Sequence, residues 1–273
     1  QLHHLGSLFP QLLRHDGSGK NAFKNPLSFR YLDDNFIESD AVKIGKTFMD
    51  YLKKTKDPRI HVYCSLKDGN TEFDKQFGLP NGYDSHTIAD APSGSFVGLE
   101  NTSNFNINTI LRLDAPTIFL MPSETKLLLA EAVLRNWTNG NAEVLYKEAI
   151  TSSMKEQEIA YGTQGKITDE EIETYLAQNL FSTANNTEKL QIIGEQYWVA
   201  TFINGYESYA NWRRTGYPKL IPTNYSGSMS PGVIPTRLPY PTDEYSINRA
   251  NVDTANQQQG ADKVTTHIWW DID

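Results

Sequence analysis

A single cysteine, Cys64, stands in the 273 residues, and that excludes an internal disulfide framework. No apolar run approaches the roughly 18 residues that a membrane-spanning helix needs. Positive charge is also short. Twenty-five Lys and Arg face 33 Asp and Glu, and the net charge of −8 argues against nucleic acid or an anionic membrane surface as partner. Catalytic signatures are missing as well: G-x-S-x-G, H-E-x-x-H, the Walker A loop and a usable G-x-G-x-x-G do not occur. Cys64 has no local base beside it and reads as inert. His3, His4 and His15 lack the further ligands of a metal site. Asp68, Asn70, Glu72 and Asp74 alternate as in a calcium loop. Phe73 stands where that loop requires glycine and Leu79 where it requires Glu, so these residues read as a solvated acidic loop.

Aromatic residues are plentiful: 11% of the chain, with fourteen tyrosines. They concentrate in residues 191–220, where Tyr197, Trp198, Phe202, Tyr206, Tyr209, Trp212 and Tyr217 surround Glu207 and the pair Arg213-Arg214. The first half of this stretch has helical periodicity, with Ile193, Tyr197, Ala200 and Thr201 on one side and Trp198 and Phe202 widening the stripe. Gly205 interrupts it, a second short helix follows, and Gly216 with Pro218 ends that one. So many rings predict a heavily buried corner. Arginines inside it need partners, and Glu207 is the nearest candidate.

This corner resembles that of the SusD/RagB-like outer-membrane lipoproteins of Bacteroidetes. Trp198, Asn204-Gly205, Glu207, Trp212, Arg213-Arg214-Thr215-Gly216 and Pro218 match its pattern. Ile234-Pro235-Thr236-Arg237-Leu238-Pro239-Tyr240-Pro241 with Glu244 and Asn248 is similar to the run that follows it, and Trp269-Trp270-Asp271 to the family's ending. Upstream, residues 123–137 resemble its Glu- and Ala-rich helix. Asp57-Pro58-Arg59 resembles its Asn-Asp-Pro-Arg step, and residues 78–83 its glycine-rich loop. The pieces run in order over roughly residues 39–271. The resemblance implies a mainly α fold of tetratricopeptide-like helix pairs with long irregular loops and little β. It also implies a single SusD-like region corresponding to the C-terminal half of a longer protein. Family members are usually about twice this long and begin with a lipoprotein signal and an acylated cysteine, which would be the route to the outer membrane and the cell surface. Gln1 opens the chain without a Met, a charged n-region or an apolar h-region. The implied function is capture of a glycan, or in some members a peptide. The ligand then passes to a SusC-like TonB-dependent transporter, with no catalysis and no cofactor. A polysaccharide-active enzyme and a purely structural component of the transporter complex are the alternatives.

Along the chain, a helix is expected from Asp40 to about Lys56. Ser39 would cap it, and Ala41, Ile44, Phe48 and Leu52 would form one face. Residues 60–118 read as irregular, with extended pieces near Arg59 to Ser65 and Thr117 to Met121. A helical hairpin spans 123–158: Ser123 caps its first helix, and Ala142, Leu145, Tyr146, Ala149, Ile150 and Ser153 face the contact on its second. Thr168 to Glu171 is a capping box for a helix to about Leu180, and another helix runs from about Thr187 to Phe202. Six prolines make residues 217–242 extended. A helix from about Thr242 to Gln257 follows, and the Trp269-Trp270 tail should pack back on the fold.

A pyranose offers apolar C–H faces ringed by hydroxyls. It is held by an exposed aromatic plane with Asn, Asp or Arg at its rim. Rings on helix faces usually belong to the core, so the candidates are loop rings. Tyr31, Phe73, Phe77, Tyr83 and Phe96 qualify, with Asn81, Asp84 and Asp33-Asp34 as polar company. The cluster from Phe73 to Phe96 is the first place to look. Trp137 and Trp212, at pattern positions, read as structural.

Overall fold

A computed structural model describes residues 43–83, 87–224 and 228–271. The chain divides into two compact units, one spanning Gln1–Asn81 and Ile88–Pro218, the other Gly82–Thr87 and Lys219–Asp273. The fold is mainly α, as expected. Among the described residues the first unit holds helices α1 (Lys46–Thr55), α2 (Ile60–Tyr63), α3 (Pro122–Leu134), α4 (Ala142–Tyr161), α5 (Asp169–Gln178), α6 (Asn186–Ala200) and α7 (Gly205–Thr215). Its one small sheet pairs β1 (Cys64–Ser65) antiparallel with β2 (Asn104–Phe105), Cys64 opposite Phe105. The second unit holds α8 (Thr242–Ile247) and α9 (Arg249–Gln259).

Local chemistry sets most helix ends. Asn141 caps α4 by accepting from the Glu143 and Val144 amides. Thr168 with Glu171, and Asn185 with Glu188, close full capping boxes on α5 and α6. α3 starts two residues earlier than a Ser123 cap predicts, with Met121 as its cap, Pro122 in its first turn and the Glu124 side chain reaching back to the Met121 amide at 2.8 Å. Ser123 therefore does not cap. Its amide and hydroxyl go to Glu156 on α4, at 2.9 and 2.6 Å.

The helix expected from Asp40 begins only at Lys46, and Ser39 to Ala41 lie outside the described residues. Backbone bonds across to a neighbouring loop hold Ile44 and Gly45 extended: Leu79 N–H donates to Ile44 O and Lys46 N–H to Leu79 O, both at 2.7 Å. Arg59 to Ser65 is likewise one helical turn followed by β1, not an extended piece throughout. The expected helix at 242–257 breaks at Asn248 into α8 and α9. Trp269 is 87% and Trp270 50% exposed, so the tail expected to pack back on the fold leaves both rings largely open to solvent.

The core of the first unit lies where α3, α4 and α6 meet. Leu127 and Ala130, then Tyr146, Ala149 and Ile150, then Ile193 and Tyr197 are its buried contributions. Alanines at the contact let helices approach closely, and the large side chains fill the gaps beside them. Phe202 stacks on Phe48 of α1 at 4.3 Å between centroids, and Trp198 meets the same ring edge-on at 4.9 Å. In the second unit Asp262 is the organising group. It accepts from Arg237 Nη2 (2.7 Å), the Tyr240 amide (3.0 Å) and the Tyr245 hydroxyl (2.7 Å).

Candidate functional site

Two polar assemblies and one loop stand out in the first unit. The first assembly is centred on Arg59, which is completely buried. Lys56, in a left-handed conformation, ends α1, and Asp57 and Arg59 turn directly beneath it. Asp57 accepts from Arg59 Nε (2.9 Å) and Nη2 (2.5 Å). Nη1 donates to Ser153 of α4 at 2.9 Å, and Nη2 also to Gln196 of α6 at 2.7 Å. Gln196 then donates to the hydroxyls of Tyr51 and Tyr175. Burial alone would lower the Arg59 pKa, but the Asp57 carboxylate overrides it and holds the guanidinium ionised. Every guanidinium nitrogen is committed, so this is a joint between four helices and not a ligand-binding group.

The second assembly is the aromatic corner. Arg214 of α7 makes a two-pronged pair with Glu131 of α3, at 2.6 and 2.7 Å. Arg135 donates to the same carboxylate at 2.7 Å. Glu207, the partner predicted for the arginines, is not the partner of Arg214: it lies at 3.4 Å from the Tyr197 hydroxyl, which is also 3.5 Å from Glu124. The reason is the second helix: Gly216 at φ 70° closes α7 with Arg214 directed at α3, while Glu207 remains in its first turn. Burial, followed by Glu207 and Glu156, pushes the Glu124 carboxyl up to about 7, against the bond from the Met121 amide. The corner is less buried than so many rings predict. Asn211 is the one buried residue of α7, and Tyr206 is 90% exposed. Trp137, read as structural, is also exposed and carries Arg135 over its ring at 5.4 Å.

The loop is residues 70–81. Its backbone is laced on both sides. Ser103 Oγ accepts from the Phe77 amide (3.0 Å), and Phe77 O accepts from the Ser103 amide (2.8 Å). Buried Gln76 donates to Asn70 O and accepts from Ser103. Gly78 sits so close to α1 that a Cβ there would meet Lys46 Cα at 2.4 Å; only glycine lets the loop dock at this distance. On this fixed backbone the Phe77 ring is 39% exposed. Lys53 Nζ of α1 stands over it at 4.2 Å from the centroid. Asn81 is exposed and donates to Thr47 Oγ1 of α1 at 3.1 Å. Phe77 and Asn81 are therefore both held against α1, at Lys53 and Thr47.

The other nominated residues fall differently. Phe96 is half-buried in the first unit, and Tyr83 is half-buried in the second. Phe73 packs against the hydrophobic core, so it is a core ring. Tyr31, Asp33, Asp34 and Asp84, like His3, His4 and His15, lie outside the described residues. In the acidic stretch, Asp68 and Asn70 accept from the amides two residues on, and Glu72 pairs with Lys75 at 3.1 Å. Among the described residues no group of three or more His, Cys, Asp or Glu could hold a metal ion. Cys64 is fully buried, and burial pushes its thiol pKa up, away from nucleophilic chemistry. Sequence reading missed Lys53. Its spacing marks it only as a polar position on a helix.

Comparison with known proteins agrees with this architecture. No curated protein matches the chain. Its structure is similar to that of a chitin-binding protein, at 28% identity and a TM-score of 0.74 over 95% of this chain and 55% of the other. It is also similar to a SusD homolog from Bacteroides fragilis, at 26% identity and a TM-score of 0.67 over 84% and 52%. A chitin-binding SusD homolog from Flavobacterium johnsoniae shares the fold, at 24% identity and a TM-score of 0.68 over 93% and 53%. The chain thus spans about half the length of the solved structures it matches. Residues 15–241 match the SusD-like_2 family, described as starch-binding and associating with the outer membrane. With that match and the helical scaffold that carries its motifs, the chain belongs to the SusD-like family.

Proposed function

We propose that this chain is the glycan-capturing part of a cell-surface protein of the outer membrane, one that binds a sugar polymer and passes it to a SusC-like TonB-dependent transporter. In this reading the full-length protein is lipid-anchored, and residues 1–273 are a single SusD-like region. The hairpin α3–α4 acts as scaffold and the long loops hold ligand. The family match over residues 15–241 carries the proposal, and the chitin-binding neighbour adds to it. The chemistry of the loops fits as well. Phe77 is an exposed ring on a backbone fixed by Gln76 and Ser103, with Asn81 as a polar rim along the same helix. Tyr83, Phe96, Asp84 and Tyr31, nominated from the sequence, are proposed as further ligand contacts on their chemistry alone. Rigid placement lowers the entropy lost on binding, so a small platform can hold a sugar with modest affinity per site. The chain binds without making or breaking bonds and needs no cofactor.

Calorimetric titration against chitohexaose and maltoheptaose tests the binding, and chromatography of the same mixtures tests for cleavage. Saturable binding with intact oligosaccharide is the expected result; shortened products would favour an enzyme. Pull-down from outer-membrane extract tests the partner, and recovery of a TonB-dependent barrel is expected. A peptide that binds where both glycans fail would move the ligand class to peptide.

A further inference from the structure

The Phe77 ring has two faces, and α1 accounts for one of them. Lys53 Nζ lies 4.2 Å from the ring centroid, a distance at which an ammonium is held by the ring's electron density. The same ammonium is 3.4 Å from Asp74 O, on the loop that carries Phe77. Lys53 therefore ties the loop to the helix by its side chain, in addition to the backbone bonds at Leu79. It is half-buried, and that burial lowers its pKa. The other cations near this loop are neutralised within reach of it. Lys46 pairs with Asp50 at 2.6 Å and Lys75 with Glu72 at 3.1 Å. The platform thus offers one ring face, with the Lys53 ammonium held against the other.

We propose that Lys53 is a ligand-positioning residue, clamping one face of Phe77 so that the other is held ready for an uncharged pyranose. This rests on the reading of the loop as a glycan site. A neutral sugar fits because the one ammonium at the ring lies on its covered face with Asp74 and Asp50 beside it, so the open face directs no cation at an acidic sugar. The clamp needs a cation at this position and not a lysine in particular.

The test is calorimetry of the whole chain against chitohexaose, maltoheptaose and hexagalacturonate, with wild type, Lys53→Met, Lys53→Arg and Phe77→Ala compared. Lys53→Met should weaken binding of a neutral hexamer by about two- to fivefold, as for a half-exposed cation–ring contact. Lys53→Arg should stay within about twofold of wild type, since a guanidinium restores the clamp. Lys53→Met should lower the melting temperature by no more than about 2–4 °C, because the backbone bonds at Leu79 still hold the loop on α1. Phe77→Ala weakened with Lys53→Met unchanged would overturn this inference alone. Phe77→Ala indistinguishable from wild type would overturn the loop site itself, and the inference with it. Tighter binding of hexagalacturonate than of both neutral sugars would also overturn the inference, as would binding of none of the three.

Discussion

Arg59 and Phe77 both depend on α1, and they do opposite things. Arg59 has no exposed atom to offer, and its nitrogens are shared among Asp57, Ser153 and Gln196. Phe77 has a fixed backbone and an exposed ring. One invests its chemistry inward and joins helices; the other keeps a surface in reserve. The motifs that make the family recognisable are of the first kind. Asp57-Pro58-Arg59 folds into the buried joint, Glu131 and Arg214 tie α3 to α7, and Arg237 anchors on Asp262. What distinguishes one binding protein from another is of the second kind.

Four changes would break or sharpen this contrast. The largest effect belongs to Arg59→Met. It leaves the Asp57 carboxylate buried without its cation, at a cost of about 3–5 kcal/mol, and urea unfolding should show it. Glu124 comes next, through pH. Its carboxyl is raised from 4.5 to about 7, chiefly by burial. A raised carboxyl pKa means that the folded chain favours the protonated form. That contribution is complete below about pH 4.5 and is lost as pH rises through 7, for a total of up to about 3 kcal/mol. Glu124→Gln should therefore be more stable than wild type at pH 8, with the difference shrinking toward pH 5 in paired thermal melts. Third, Arg214→Ala removes two charged hydrogen bonds from Glu131, and Arg135 remains to compensate. A loss of about 1–3 kcal/mol is expected in the same urea assay. Phe77→Ala should have the smallest effect on stability, within about 0.5 kcal/mol, while weakening glycan binding about tenfold. Opposite profiles for Arg59→Met and Phe77→Ala would sharpen the comparison; equal loss of stability would break it.

The same contrast explains what could be read in the sequence. The helices of 142–161, 169–178 and 186–200 were legible because periodicity and capping residues act within a few positions, as at Asn141, Thr168 and Asn185. The start of α1 was not, because Ile44 and Gly45 are held extended by Leu79, a partner far along the chain. Glu207 was a natural partner for the arginines in sequence. Glu131 took Arg214 because tertiary packing, not proximity along the chain, sets that pair. At the proposed site, Phe77 and Asn81 could be nominated as loop residues of suitable chemistry. Lys53 could not, since only the docking of the loop on α1 places its ammonium over the ring. Exposure was hard to foresee for the same reason: Trp137 and Trp269 match scaffold motifs and yet face solvent.

The central claim, that this scaffold offers a loop ring to a sugar, is tested most directly by titrating wild type and Phe77→Ala with chitohexaose and maltoheptaose under identical conditions. Saturable binding of at least one oligosaccharide, weakened about tenfold by the substitution with the melting temperature unmoved, is the result predicted. Equal affinity of the two proteins for the sugar that binds would contradict it.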